Sequence, residues 1–232
     1  MKATLKKMFR PFVLRSACWF IPGRLASCFN NLASLSRVSN WMRDHRGMDC
    51  TGDRTALYER ILHSEGLDAP IDYLEFGVYR GASLKWWCEH ITCPEAHFYG
   101  FDCFEGLPED WGVAGAGTFD TGGKLPAIND RRNKFVVGQF QHTLRPFLEQ
   151  HPLQRRKVIH MDADLYTSTL YVLAHLAPHL RAGDVLIFDE FGSLRMSQHE
   201  FRAFEDFCAS FRVSVAALGA NSLLETVAMK VI

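Results

Sequence analysis

Acidic side chains follow two apolar segments of the chain, at points where a strand of a sheet would end. Asp162 and Asp164 come after the run "KVIHM", and Asp189 and Glu190 come after "DVLIF". If both runs are parallel strands, their carboxyl ends share one edge of a sheet, where four carboxylates would crowd together. Crowded carboxylates raise one another's pKa, and a hard divalent cation such as Mg²⁺ relieves the repulsion. The pattern therefore predicts a metal site that leaves one carboxylate to accept a proton from a hydroxyl.

These acids also have a structural interpretation. The segments that follow them, "TSTLYVLAHL" and "SQHEFRAFEDF", have helical patterns, and an acid before a helix can cap its first N–H groups. This alternative applies most to Glu190, whose longer side chain has a less fixed reach. His160 and His199 lie near the same edge. His199, at a predicted helix start, is the better candidate for a catalytic histidine.

The end of the first predicted strand has the composition of a ligand-binding turn. In "EFGVYRGAS", Glu75 precedes Gly77 and Gly81, and Ser83 opens a helix. Glycines allow a tight turn and a close approach to a ligand, while free N–H groups at a helix start bind carboxylates and phosphates. The segment is not the dinucleotide-binding fingerprint, because Tyr79 stands where that motif needs glycine. An ordinary tight turn is the alternative.

Asp102 ends the second predicted strand, in "GFDCFEGLP". An acid at this position can accept both hydroxyls of the ribose in an adenosine-containing cofactor. The alternative is an aspartate that caps its own loop. Because the first two strand ends converge on one crevice of an open sheet, Asp102 and the glycine turn together predict a cofactor site.

A mainly parallel sheet would bring these residues together. From residue 71 onward, apolar runs alternate with helical patterns, which is typical of an α/β fold with helices on both faces of the sheet. The predicted strands are 71–79, 97–104, 134–140, 157–165 and 184–191, and the predicted helices are 51–67, 82–90, 142–150, 167–180 and 197–211. Two further strands, 212–220 and 222–232, have so short a link that an antiparallel hairpin is expected.

The chain divides into a basic arm and an acidic body. Eight basic residues precede the first acid, Asp44, and the rest of the chain has 18 Lys and Arg against 26 Asp and Glu. We predict an amphipathic arm over 1–50 and one domain over 51–232, in which the glycine-rich segment 105–133 is a lid over the substrate. The arm either packs on the body or on a second subunit, or lies on an anionic membrane surface.

The remaining composition bears on location and partners. No uncharged apolar run reaches the roughly 18 residues of a membrane span, and Arg10 and Arg15 interrupt any signal peptide, so a cytoplasmic location is expected. Seven cysteines without a CxxC pair predict free thiols. The acidic body argues against a nucleic-acid partner.

Three segments resemble the macrocin O-methyltransferase family, whose members use S-adenosylmethionine (SAM) and Mg²⁺ to methylate sugar hydroxyls. They are "YLEFGVYRGAS", "GFDCFEGLPEDW" and "MDADLYTSTLYVLAHLAPHLRAGDVLIFDEF", which cover most of residues 71–210. The resemblance implies the Rossmann-like fold of class I SAM methyltransferases, with five parallel strands, a C-terminal antiparallel hairpin and helices on both faces. It also implies SAM and a divalent cation as cofactors, and it makes a homo-oligomer an expectation.

The resemblance assigns roles to individual residues. It implies that SAM binds at Glu75, Gly77, Gly81, Ser83, Asp102 and Gln139, that Asp162, Asp189 and Glu190 hold the metal, and that Asp164 is the general base. Glu190 departs from the family, which usually has aspartate there. His199 remains a catalytic candidate on its position alone.

The sequence therefore predicts an O-methyltransferase that acts on a sugar hydroxyl of a glycoside, glycolipid or polysaccharide precursor. A methyltransferase for a catechol-like phenol is one alternative, because a metal activates that hydroxyl in the same way. A non-catalytic SAM-binding scaffold that docks through its arm on a membrane or a biosynthetic partner is another. A related hydroxylase is disfavoured, because no His-carboxylate iron triad is evident.

Overall fold

One seven-stranded sheet forms the centre of the protein. The computed structural model describes residues 23–50, 52–111, 114–192 and 198–232. The strands are β1 Ile71–Phe76, β2 His97–Asp102, β3 Asn133–Val137, β4 Arg156–Met161, β5 Val185–Phe188, β6 Val215–Ala220 and β7 Val227–Val231. Their order is β3-β2-β1-β4-β5-β7-β6; β1 to β5 run parallel, and β7 is antiparallel to both β5 and β6. The predicted class I methyltransferase sheet, with its C-terminal hairpin, is confirmed.

Helices cover both faces of this sheet. They are α1 Gly23–Asp44, α2 Arg54–Ser64, α3 Ala82–His90, α4 Phe140–Gln150, α5 Tyr166–Leu176 and α6 Glu200–Phe211, with a 3₁₀ turn at Ala177–His179 after α5. Helices α2 and α3 pack on one face, and α1, α4, α5 and α6 pack on the other. Successive side chains of a strand point to opposite faces, so each strand contributes to both cores. Tyr73 of β1 faces α2 and α3, while Leu74 faces the opposite layer.

The local sequence determines where helix α2 begins. Asp53 has extended backbone geometry, and its Oδ1 accepts the N–H of Ala56 at 2.9 Å. Such a cap satisfies a donor that the first turn leaves free. Gly66 follows the helix at φ +59°. The helix predicted over 51–67 therefore spans Arg54–Ser64, and the cap at Asp53 makes Arg54 its first residue.

Most strands are shorter than the sequence predicts, and two of these differences change the local geometry. Strand β4 ends at Met161, so Asp162 and Asp164 lie in the turn after it, and Asp164 has φ +59°. The alternation of side chains along a strand therefore does not orient these two acids. The C-terminal hairpin also has a longer connection, 221–226, where Oδ1 of Asn221 accepts the N–H groups of Glu225 and Thr226.

Part of the predicted N-terminal arm packs on the body. Ser34 and Val38 of α1 are buried, and the ring of Trp41 lies 4.8 Å from that of Phe191. Residues 1–22 of the predicted arm lie outside the described residues. Among the described helices, none has the length and apolar character needed to cross a membrane.

Candidate active site

A cavity of about 300 Å³ opens at the carboxyl ends of the parallel strands. Ligands bind at this edge in open α/β sheets. The lining comes from the start of α2, from the segments after β1 to β5 and from the loop between β2 and β3: Arg54, Gly77, Val78, Tyr79, Arg80, Ala82, Ser83, Asp102, Cys103, Gly106, Leu107, Pro108, Trp111, Phe119, Gly138, Gln139, Phe140, Gln141, Asp162, Ala163, Asp164, Ser168, Asp189 and Glu190.

The turn after β1 comes so close to β4 that only glycine fits. Gly77 has φ +92°, and a Cβ there would collide with the carbonyl oxygen of Asp162. Four residues later, Gly81 has φ +75° and begins α3 without a side-chain cap. The first N–H groups of α3 are thus left for a ligand anion, and Ala82 and Ser83 line the cavity beside them. Gly81 itself lies behind the lining, where a Cβ would meet Pro126 at 2.7 Å.

Asp102 both lines the cavity and holds the glycine turn. Its Oδ2 accepts the N–H groups of Val78 and Tyr79, each at 2.8 Å, and its Oδ1 accepts that of Phe104 at 2.7 Å. The loop-capping role considered for Asp102 is therefore present. A carboxylate has about four acceptor positions, so three backbone bonds leave room for one ligand hydroxyl rather than the expected two.

Glu75 does not line the cavity, although the resemblance placed it among the SAM-binding residues. It is fully buried, and its carboxylate accepts the hydroxyls of Tyr73 at 2.6 Å and Ser83 at 2.7 Å. Alternation along β1 turns this side chain toward α3 rather than toward the strand end. Glu75 therefore positions Ser83 and makes no direct contact with the cavity.

His160 lies fully buried between Glu75 and Asp189. Its Nδ1 is 2.7 Å from the Tyr73 hydroxyl and 3.4 Å from Glu75, and its Nε2 is 4.0 Å from Asp189. Burial acts to lower its pKa, but these two carboxylates outweigh burial and raise it to about 9. His160 is thus a buried cation that balances two acids and does not reach the cavity.

All four acids predicted at the edge of the sheet line the cavity, so their predicted convergence is present. Burial, with the charges of Glu190 and Asp189, raises the pKa of Asp164 to about 7. Burial and Asp189 also raise the pKa of Glu190 to about 7. Burial and the same aspartate raise the pKa of Asp162 well above its usual range. Proton transfer near neutral pH is therefore available at this edge.

Asp189 differs from the other three acids because it is already paired with a cation. Its Oδ2 accepts Nη1 of Arg54 at 2.7 Å, and its Oδ1 accepts the Thr226 hydroxyl at 2.9 Å. Burial would raise its pKa, but His160 and Arg54, with the Thr226 bond, hold the pKa well below its usual value. Sequence analysis missed Arg54, which no local pattern connects to a residue 135 positions away.

Glu200, the first residue of α6, ties the two acidic turns together. It is fully buried, and its Oε1 accepts the N–H of Ala163 at 3.1 Å while its Oε2 accepts that of Glu190 at 3.2 Å. Burial and the Asp164 charge raise its pKa to about 8. Sequence analysis missed this residue as well, because an acid in the first turn of a helix is an ordinary feature.

The last two candidate residues have different positions. Gln139 lines the cavity and precedes α4 without a side-chain cap to that helix. His199 precedes α6 and is not among the lining residues. Burial lowers its pKa, and its Nδ1 has no hydrogen-bond partner in the described part of the chain. His199 thus lies outside the cavity lining, and its catalytic role stays a prediction.

The segment predicted as a lid forms one wall of the cavity. A backbone hydrogen bond between Leu107 and Thr118 folds the segment back on itself. Oε1 of Glu109 accepts a hydrogen bond from the hydroxyl of Thr167, in the first turn of α5, at 2.6 Å. The Phe119 ring lies 5.3 Å from that of Tyr79. This wall is therefore aromatic, opposite in character to the acidic edge. Its opening and closing stay a prediction.

The predicted metal ligands do not form a cation site in this arrangement. Among the described residues, no three acidic, histidine or cysteine side chains converge as one ion would require. Both oxygens of Asp189 accept hydrogen bonds, one from Arg54 and one from Thr226, so the guanidinium is already the cation next to this carboxylate. The guanidinium of Arg54, rather than a metal ion, relieves part of the repulsion among these carboxylates.

Comparison with protein families identifies the central part of the chain. A family model described as a methyltransferase domain matches residues 74–191, which run from the second half of β1 through β5 and include both acidic turns. No curated protein sequence matches the chain significantly. The match covers about half of the chain, and every strand end that lines the cavity falls within it.

Solved structures share the fold across most of the chain. The calicheamicin methyltransferase CalS11 has a TM-score of 0.58 and 20% identity, covering 94% of this chain and 83% of its own. The O-methyltransferase NovP has a TM-score of 0.56 and 22% identity, covering 74% and 75%. An O-methyltransferase from Bacillus cereus in complex with SAH has a TM-score of 0.52 and 20% identity, covering 86% and 90%. At these identities the likeness concerns the fold.

Proposed function

The chain belongs to the methyltransferase family whose model it matches, and from this premise we propose that it is an O-methyltransferase that uses SAM to methylate a sugar hydroxyl. The observation that carries the proposal is Asp164. This carboxyl lines the same cavity as the glycine turn, and its pKa is raised to about 7. It can therefore take a proton from a hydroxyl beside a bound cofactor.

The residues on the β1 and β2 side of the cavity fit SAM. The close approach at Gly77 leaves the uncapped start of α3 beside Ser83 for a carboxylate group, and Asp102 keeps an acceptor position for a ribose hydroxyl. Gln139 lies at the end of β3, where an adenine amino group would find its amide. When bound, SAM supplies an electrophilic methyl group on sulfur.

Asp164 supplies the complementary proton acceptor. A base with a pKa near the working pH is present in its ionised form without losing its affinity for a proton. Its φ of +59° lies in the left-handed region, which aspartate tolerates better than most residues. This turn, held by Glu200, keeps the carboxylate in the cavity rather than along the strand. The chain's own contribution is thus to orient the hydroxyl and remove its proton.

A sugar is the acceptor that the cavity suits best. Tyr79, Trp111 and Phe119 give an aromatic wall, while Asp164 and Glu190 give hydrogen-bond acceptors on the opposite side. A sugar ring presents both apolar C–H faces and hydroxyls. CalS11 is named a TDP-rhamnose 3'-O-methyltransferase, which supports a nucleotide sugar as one acceptor class. A phenol would use the same aromatic wall and is the second candidate.

No step of the proposed reaction is assigned to a metal, because the predicted ligand set does not fit one. The positioning of the cofactor and acceptor and the proton transfer to Asp164 are the contributions that the described residues support.

The test combines cofactor binding with transfer of a labelled methyl group. We expect the purified protein to bind SAM by calorimetry and to label members of a panel of nucleotide sugars and glycosides, with catechols as the comparison set. Asp164→Asn should retain SAM binding and lose transfer by about 10²- to 10⁴-fold, the usual contribution of a general base. Asp44→Asn, at an exposed position on α1, is the matched control. SAM binding with no transfer to any acceptor would favour the scaffold alternative.

A further inference from the structure

We propose that Arg54 is the fixed cation of the acceptor end of the cavity, in place of the divalent ion predicted for Asp162, Asp189 and Glu190, and that methyl transfer does not depend on a metal. This inference rests on the proposed function for its catalytic part. Its structural part, the balance of charge at Asp189, holds for any ligand of the cavity.

The contact itself is a strong one. Nη1 of Arg54 lies 2.7 Å from Oδ2 of Asp189, whose side chain is 9% exposed. Charge-assisted hydrogen bonds of this length are stronger than neutral ones. Arg54 also lines the cavity, and the structure records no other hydrogen bond from its guanidinium within the described residues. Its remaining N–H groups are therefore available to an acceptor oxygen.

The position of Arg54 on its helix points to a function other than helix stability. It is the first residue of α2, directly after the capping Asp53. A positive charge at a helix N-terminus opposes the helix dipole, so this position does not favour arginine for local reasons. Asp189, which directly follows β5, offsets this charge through its ion pair with Arg54.

The second oxygen of Asp189 is also engaged by a protein donor. It accepts the hydroxyl of Thr226 at 2.9 Å, with the buried imidazole of His160 4.0 Å away. Mg²⁺ requires near-octahedral oxygen ligands at roughly 2.0–2.1 Å. An ion on Asp189 would lie beside the Arg54 guanidinium, and the two positive charges would repel each other.

Metal binding by the isolated protein tests this arrangement without any acceptor. In a titration with Mn²⁺ followed by electron paramagnetic resonance, we expect wild type to leave the ion free in solution. Arg54→Ala should bind Mn²⁺, because the substitution removes the cation that repels an ion at Asp189. Arg60→Ala, which removes an arginine of the same helix that pairs with Asp49 outside the cavity, should behave like wild type. Tight Mn²⁺ binding by wild type, or none by Arg54→Ala, would overturn the proposal.

Activity gives the second arm of the test. Wild-type transfer should survive dialysis against EDTA, and Arg54→Gln should reduce it by about 10²-fold, as expected when one preorganised donor to the reacting oxygen is lost. Added guanidinium should restore part of the activity of Arg54→Ala, whereas the Arg60→Ala enzyme should not respond. Loss of wild-type activity in EDTA that Mg²⁺ restores would contradict metal independence.

The two arms separate the failure of this inference from that of the proposed function. If no acceptor is labelled, the Mn²⁺ titration still decides whether Arg54 occupies the place of a cation. If Arg54→Ala does not fold, the wild-type titration and Arg54→Lys decide it, since lysine keeps the charge and should still exclude Mn²⁺.

Discussion

The chemistry of the cavity depends on the charges that surround each acid rather than on the acids alone. Asp189 and Asp164 are neighbours at the same edge, yet the pKa of Asp189 is held low by His160 and Arg54, while burial and Glu190 raise that of Asp164 to about 7. Pairs of acids whose environments separate their pKa values take different roles in enzymes. Asp189 is therefore a permanent anion that orients Arg54, and Asp164 is the group that titrates.

This difference predicts the pH dependence of methyl transfer. Because the pKa of Asp164 is raised, its basic form is present above about pH 7 and is lost as the pH falls through that value. The rate should then rise with pH and reach a plateau above it. In Glu190→Gln, the loss of a neighbouring negative charge should lower the pKa of Asp164 and move the midpoint of the profile to lower pH.

The measurement is a pH profile of kcat/KM for wild type, Glu190→Gln and Glu89→Gln, the last at an exposed position of α3. Glu89→Gln should leave the midpoint where it is. A midpoint that does not move in Glu190→Gln would assign the titration to another group of the cavity.

Three turns set the geometry of the site, and each is held by contacts with another element. The turn after β1 lies against the backbone of the turn after β4 at Gly77, and Asp102 holds its N–H groups. The turns after β4 and β5 are joined by Glu200 of α6. The cofactor side and the acceptor side of the cavity are thus parts of one connected backbone arrangement.

Gly77→Ala should lower the free energy of unfolding by more than the left-handed backbone conformation alone would. Gly183 has nearly the same φ, +95° against +92°, but nothing lies near the Cβ that alanine would add there. Gly183→Ala should therefore cost about 1–2 kcal/mol for the left-handed conformation. Gly77→Ala should cost about 1–3 kcal/mol more for overpacking, with loss of SAM binding. Urea unfolding and calorimetry measure both effects, and equal costs for the two variants would argue against the close approach.

Glu200→Gln should destabilise the fold through the two acidic turns. One of the two backbone N–H groups, of Ala163 or Glu190, would then face an amide NH₂ instead of an oxygen. A buried donor left without an acceptor costs about 1–3 kcal/mol. Urea unfolding measures this cost, with Glu149→Gln on the exposed face of α4 as the control. A cost as small as that of the control would show that the Glu200 bonds contribute nothing.

At the scale of the whole molecule, helix α1 packs on the core next to the acidic edge of the cavity. Trp41 packs on Phe191, which directly follows Glu190, and Val38 joins the same core. One face of α1 is thus part of the body, while Phe29 on the same helix is 62% exposed. This arrangement agrees with the expectation that the arm packs on the protein itself. The exposed face remains a candidate for contact with a second subunit or a membrane surface.

Trp41→Ala should therefore weaken the whole fold and not only α1. Loss of its contact with Phe191 should cost on the order of 2 kcal/mol, as expected for removing a large apolar surface that is partly buried. Phe29→Ala should stay within about 0.5 kcal/mol of wild type, like most surface changes. Thermal unfolding of the two variants checks this, and equal melting temperatures would mean that α1 folds independently of the body.

Local patterns in the chain were enough to predict the sheet and the edge where the site lies. Apolar runs with turn residues between them predict strands, and Asp102, Asp162 and Asp189 stand at strand ends whatever the packing is. The cap of Asp53 is equally local, because it depends on a few neighbouring residues.

Only the tertiary structure decided how these groups work together. It placed Arg54 against Asp189, turned Glu75 away from the cavity and set Glu200 between the two acidic turns. It also placed Asp162 and Asp164 in a turn after β4. The physical reason is that a pKa, an ion pair and a shared hydrogen bond depend on distances in space, and residues 135 positions apart acquire such a distance only when the sheet and its helices pack.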